Sequence, residues 1–138
     1  MRGLDVLLAR GRAAHEDLMV DTVRVYRQGE GVFDRATGTT VPGPQTLFYG
    51  PGRGRVKPSS LSTAMEEEAG EREVVFNRYE VALPWGSPMP EGQRILPGDL
   101  VEVAASPDAR LTGLTLWVTG VQFSATATAW RIETEDRS

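Results

Sequence analysis

Few residues in this chain have types and spacing that could do chemistry. It has one histidine, His15, and no cysteine, so thiolate metal sites and disulfides are out and a hydrolytic triad has only one imidazole to draw on. His15 is followed by Glu16 and Asp17, not by the Glu-x-x-His run that places two imidazoles on one helical face for zinc. A lone histidine among scattered carboxylates is a poor metal site, and His15 reads as a half-exposed helix residue. The stretch GPGRGRVKP, residues 50–58, looks at first like a phosphate loop. It lacks the Gly-Lys-Ser/Thr ending, Pro58 follows Lys57, and no helical pattern begins there. Taken as a strand, it sets Arg53, Arg55 and Lys57 on one face, because successive side chains alternate. That stripe is either a solvated face that discourages edge pairing or a basic surface for an acidic partner or nucleic acid. The 19 acidic residues make chance carboxylate pairs common, so no glycosidase-type pair stands out. Neither Gly-x-Ser-x-Gly nor a dinucleotide fingerprint is present. The expectation is a protein that is not an enzyme, with no catalytic residue, no metal and no cofactor.

The elements that would position these residues are mostly strands. The first 19 residues carry Leu4, Leu7, Leu8, Ala14 and Leu18 at helical spacing. Gly11 in the middle costs that helix about 1 kcal/mol relative to alanine, so it needs a neighbour to cover its leucine face. The neighbour is either its own domain or another subunit. From Asp21 the period changes to two, with Val23 and Val25 alternating with Thr22, Arg24 and Tyr26. FDRATGTTV, residues 33–41, reads as a hairpin: Asp34 can bond the backbone two residues on, and Gly38 can take positive φ. Residues 45–50, 74–83, 100–103, 114–120, 121–124 and 128–134 are further strand candidates. Pro97-Gly98 fits the centre of a type II turn, and Gly120 marks a bulge or bend. Trp117 and Trp130 are expected in the core or at a barrel end.

One polar stretch interrupts this pattern. Residues 59–73 contain Glu66, Glu67, Glu68, Glu71 and Glu73, with Leu61 and Met65 as their only large apolar side chains. A short helix near residues 63–69, capped by Thr63, fits part of it. Long polar loops in small domains are either solvated insertions or functional.

The chain has 138 residues and a formal net charge of −4. One domain with one core fits that length, and the acidic balance argues against a general nucleic-acid binder. No run approaches the 18 apolar residues of a membrane span, and Asp5, Arg10 and Arg12 interrupt any signal-peptide core. The expected fold is mainly β: a small closed barrel of about six to eight short strands over residues 21–135, an N-terminal helix over 1–20, an inserted loop at 59–73 and a solvated tail at 136–138. Closure is favoured because it removes sheet edges that so short a chain could not cover.

The order of features carries a resemblance. A leucine-bearing helix is followed by DTVRVYR, the FDRATGTTV hairpin, LFYGPGRGRVKP, a long polar loop, and ILPGDLVEV. The pattern V-x-R, F-D-x-x-T-G, Y-x-G-P-x-R-x-R-x-x-P resembles the head-completion or stopper proteins of tailed bacteriophages, small head-tail connectors of the actinobacteriophage type. The likeness covers nearly the whole chain, but its motifs are turns and strand ends. GPGRGRVKP carries an extra Gly-Arg step, which leaves the strand register there open.

The resemblance implies a structural virion protein, made in the bacterial host cytoplasm and placed in the neck of the particle. It implies a homo-oligomeric ring, usually of six copies, below the portal or adaptor protein. Such a ring retains packaged DNA, touches it transiently in the channel, and docks the tail terminator or tail tube protein; no membrane is involved. The channel loop would then fall on Glu66, Glu67, Glu68, Glu71 and Arg72, and the basic face Arg53, Arg55 and Lys57 would meet an acidic neighbour or DNA. Leu4, Leu7, Leu8 and Leu18, with the prolines of residues 84–97, would form subunit contacts. Two rival readings remain. One is a tail terminator or tail-completion protein, which would show a stronger mid-chain helix across a sheet. The other is an oligonucleotide-binding type of small barrel, using Tyr26, Phe48, Tyr49 and Tyr79 as stacking residues.

Overall fold

Alternation of valines with polar residues in the first strand sets the architecture. In the computed structural model, which describes residues 2–59, 77–87, 89, 93–123 and 127–137, helix α1 (Arg2–Asp17) precedes strand β1 (Asp21–Gln28). Val23 and Val25 of β1 are fully buried. Next come a short pair, β2 (Val32–Asp34) and β3 (Thr39–Val41), then a long β4 (Gln45–Pro58). Strands β5 (Asn77–Pro84), β6 (Leu100–Ala105), β7 (Thr115–Gln122) and β8 (Ala129–Asp136) complete the chain. Six of these close into an antiparallel barrel in the order β1-β4-β5-β8-β7-β6, while β2 and β3 form a separate two-stranded sheet. The expected small closed barrel with an N-terminal helix is what is found. Its interior is filled by branched aliphatics, including Val23, Val25, Val81, Leu83, Val101, Val103, Leu116 and Ile132.

Two expected strands merge into one on each of two occasions. Residues 45–50 and the basic stretch after them form the single strand β4, and residues 114–120 and 121–124 form β7. In β4 the pairing with β1 slips twice, between Val23 and Val25 and between Val25 and Tyr26. Each slip adds one residue to β4, near the cis Gly50-Pro51 bond. Two extra residues restore the alternation, so Phe48 and Val56 both face inward. This resolves the register of the Gly-Arg steps. A Cβ on Gly54 would lie 2.6 Å from Val23 Cγ2, and one on Gly52 would lie 2.8 Å from the Tyr49 hydroxyl. Positions 52 and 54 have no room for a side chain and are glycine, while Arg53 and Arg55 between and after them point outward. In β7 the slip lies between Val118 and Gly120, at the expected bulge.

Because every neighbour is antiparallel, the barrel has two unlike ends. At one end β1 begins, β4 stops at Pro58, β5 starts at Asn77 and β8 stops at Asp136. At the other lie the β2–β3 hairpin and the connection ending in the turn before β6. There Gly98 has φ +95° and the Asp99 amide donates to the Leu96 carbonyl at 3.1 Å, as the Pro97-Gly98 turn requires. Asp99, 2% exposed, accepts from Arg27 Nε (2.7 Å), Arg27 Nη2 (3.0 Å) and the Leu96 amide (2.8 Å). The Arg27 guanidinium also stacks 4.5 Å over Phe48. This bidentate pair fixes the turn to β1.

Trp130 sits where expected, packed on the core at a barrel end with its indole donating to the Trp85 carbonyl at 3.1 Å. The expectation for Trp117 needs correction. It points outward from β7, 37% exposed, beneath the Arg137 guanidinium at 4.5 Å. Its neighbours Leu116 and Val118 take the inward positions, so parity leaves Trp117 outside.

Candidate interaction surfaces

The helix is placed by a stripe other than its leucines. Leu8, Gly11, Arg12, His15, Glu16 and Met19 are covered to varying degrees, whereas Leu4 (45% exposed), Leu7 (66%) and Leu18 (52%) face solvent. Met19 packs with Ala82 of β5 and Ala129 of β8 on the outer wall of the barrel. A Cβ on Gly11 would lie 3.1 Å from Thr128 Cγ2, so the mid-helix glycine permits a close approach. Arg12 Nε donates to the Ala127 carbonyl at 3.1 Å and its guanidinium lies 4.1 Å over Trp85. The helix therefore does lie on its own barrel, and three of the four leucines singled out for contacts stay uncovered.

The outer wall under the helix carries the basic face. Arg53, Arg55 and Lys57 project outward from β4, as alternation requires. Arg131 joins them: it pairs with Ala82, which pairs with Arg55, so two arginines flank an alanine in one row across three strands. Sequence reasoning missed Arg131 because only strand pairing puts it there. Lys57 is 3.6 Å from Glu80. Among the described residues, Arg53, Arg55 and Arg131 form no ion pair. His15 faces this wall, with its Nδ1 3.1 Å from the Thr128 hydroxyl. Burial, followed by the charges of Arg55, Arg131 and Lys57, holds its pKa below the ordinary 6.5 against a smaller opposing effect of Glu80.

The acidic candidates Glu66, Glu67, Glu68, Glu71 and Arg72, and the short helix expected near residue 63, lie outside the described residues. What is described is where the chain leaves and returns: after Ser59, whose hydroxyl is 2.9 Å from Glu133 Oε2, and before Asn77. A cavity of about 620 Å³ opens at this end, lined by Leu18, Asp21, Arg55, Lys57, Tyr79, Ser106, Arg110 and others. Its one deeply buried carboxylate is already bonded: Asp21 accepts from the Val56 amide at 2.8 Å and from the Ser106 hydroxyl. Arg110 is likewise engaged, by Asp108 at 2.9 Å. Among the described residues no three metal-ligating side chains come together, and no helix is long and apolar enough to cross a membrane.

The opposite end is apolar. Among the described residues, six exposed large hydrophobic side chains lie there: Val32, Phe33, Val41, Leu47, Leu96 and Phe123. The hairpin forms as its sequence dictates. Asp34 Oδ1 accepts from the Ala36 amide at 2.9 Å, and Gly38 has φ +68°. Val32 (62% exposed), Phe33 (61%) and Val41 (46%) remain in solvent, so both faces of the pair are bare. At its base a Cβ on Gly43 would lie 2.1 Å from the Glu30 carbonyl oxygen, where the two chains cross.

Comparison with known proteins adds a family. Residues 11–135 match the model of a family described as a family of unknown function, DUF6093. The chain belongs to that family. No curated protein matches the sequence. Among solved structures, the solution structure of protein SF1141 from Shigella flexneri 2a is similar at 15% identity, covering 86% of this chain and 92% of that one with a TM-score of 0.47.

Proposed function

We propose that this member of the family is a structural subunit of a tailed-phage neck, forming a ring below the portal or adaptor that closes the head, retains DNA and docks the tail. The observation that carries the reading is the polarity of the barrel. Among the described residues, one end carries the exposed apolar side chains of the hairpin together with Leu47, Leu96 and Phe123, and the other emits and receives a segment rich in glutamate. A subunit stacked between rings needs a docking end and a channel-facing element. Residues 66–72 hold four glutamates against one arginine. In a six-copy ring this net −3 per copy becomes about −18, felt within about 8–10 Å at physiological salt. A wall of that sign repels phosphates and lets DNA slide. Arg53, Arg55, Lys57 and Arg131 supply a basic flank for an acidic neighbouring protein or for passing DNA.

Two further observations weigh against the rivals. Among the described residues the helix is N-terminal, whereas a tail terminator calls for one packed across a sheet in mid-chain. The aromatics of an oligonucleotide-binding barrel are not on a platform: Tyr26 and Phe48 are buried, and Tyr49 and Tyr79 pack against the core. The test is disruption of the gene in the phage or prophage that carries it. Packaged heads that leak DNA and lack tails are expected. Intact heads beside tails of irregular length would favour the terminator, and normal particles would sink both.

A further inference from the structure

We infer that the cavity where β4 ends binds an acidic peptide of a partner protein, with one carboxylate side chain on Arg55 and Lys57 and an apolar neighbour against Leu18 and Val20. The partner class rests on the basic flank proposed above, while the binding itself stands on the cavity. At about 620 Å³ the space is of the size that takes a ligand of several linked groups, far more than a lone inorganic anion fills. Four segments meet around it. The link between α1 and β1 supplies Leu18 and Val20, the end of β4 supplies Arg55 and Lys57, the start of β5 supplies Tyr79, and the loop after β6 supplies Leu111. Leu18 (52% exposed) and Val20 (62%) bring apolar surface to it, and Tyr79 and Leu111 pack on the core behind.

The charge left over in this lining is positive. Its two carboxylates are engaged: Asp21 accepts from the Val56 amide and the Ser106 hydroxyl, and Asp108 accepts from the Arg110 amide and guanidinium. Lys57 stands 3.6 Å from Glu80, a loose pair that leaves its side chain 42% exposed. Among the described residues Arg55 forms no ion pair. His15 reports the same field: after burial, the charges of Arg55, Arg131 and Lys57 hold its pKa down, so neighbours do not cancel those cations. Arg55 and Lys57 are two residues apart on one strand face, with Cα atoms about 7 Å apart. One carboxylate can therefore accept from both at charge-assisted distances of about 2.8 Å. The apolar walls favour a peptide over a nucleic-acid strand, and Asp21 and Asp108 would repel a continuous run of phosphates.

The probe is acetyl-Glu-Leu-amide, titrated into the isotope-labelled full chain to about 20 mM, above the millimolar affinities that a few contacts reach. Its glutamine analogue is the control. The expected result is a set of amide shifts gathered at Leu18, Tyr79 and Leu111. Binding should weaken at least about five-fold with the glutamine peptide and with Arg55→Ala, and stay unchanged with Arg53→Ala, which lies on the same strand outside the cavity. No shifts, or equal shifts from the two peptides, overturn the inference. The same shifts from inorganic phosphate alone overturn it too, in favour of a plain anion site. So do shifts that appear only once Glu66, Glu67 and Glu68 are changed to glutamine, which would assign the cavity to the chain's own acidic segment. Binding by a protein absent from phage particles would keep this site and discard the neck.

Discussion

Asp99 shows how much of this fold hangs on single side chains. Its carboxylate is nearly out of solvent and takes three hydrogen bonds, two of them from Arg27. Arg27→Ala leaves that charge buried with one amide, and we expect a loss of about 3 kcal/mol in urea unfolding with little change in m-value. His15 sets a pH dependence. Its folded pKa lies below 6.5, because burial and the Arg55, Arg131 and Lys57 charges disfavour the imidazolium. The unfolded chain therefore binds the proton first. The stability His15 contributes is complete above about pH 6.5 and is lost as pH falls through the lowered value. Thermal midpoints measured from pH 8 to pH 5 should fall less for His15→Gln than for the parent; equal falls would contradict the placement of His15 against the basic wall.

At the scale of elements, the glycines of β4 separate packing from charge. Gly54→Ala pushes a methyl into Val23 and should destabilise by about 1–3 kcal/mol, whereas Arg55→Ala on the outer face should stay within about 0.5 kcal/mol. Chemical denaturation of the two variants checks this contrast. Period-two alternation, Asp34 with Gly38, and Pro97-Gly98 made the first strand, the hairpin and one turn legible in the sequence, because each is decided by residues within a few positions. The merging of strands in β4 and β7 was not legible, since bulges depend on what the partner strand does. Helix α1 was legible as a helix, but its buried stripe was not. Leucine spacing pointed to one face, while Gly11, Arg12 and His15 found Thr128, Ala127 and Trp85 more than 70 residues away. Arg131 joined the basic face for the same reason.

At the scale of the whole molecule, the six barrel strands leave no open edge between them, so the barrel itself offers side-chain surfaces to a partner and not strand pairing. Neutralising Glu66, Glu67 and Glu68 to glutamine together should leave the unfolding midpoint unchanged while altering DNA retention or ejection in particles. Unchanged particles would remove the channel role from that segment. The candidate surfaces were less legible than the fold, because the basic face is put together by pairing of distant strands and carries no local motif. The central claim is that this chain sits in the neck, and one measurement meets it head on: electron microscopy of particles released from the carrying host, labelled with a gold-conjugated antibody against the protein. The account predicts gold at the junction of head and tail. Gold on capsid faces or along tails, or particles with none, would contradict it.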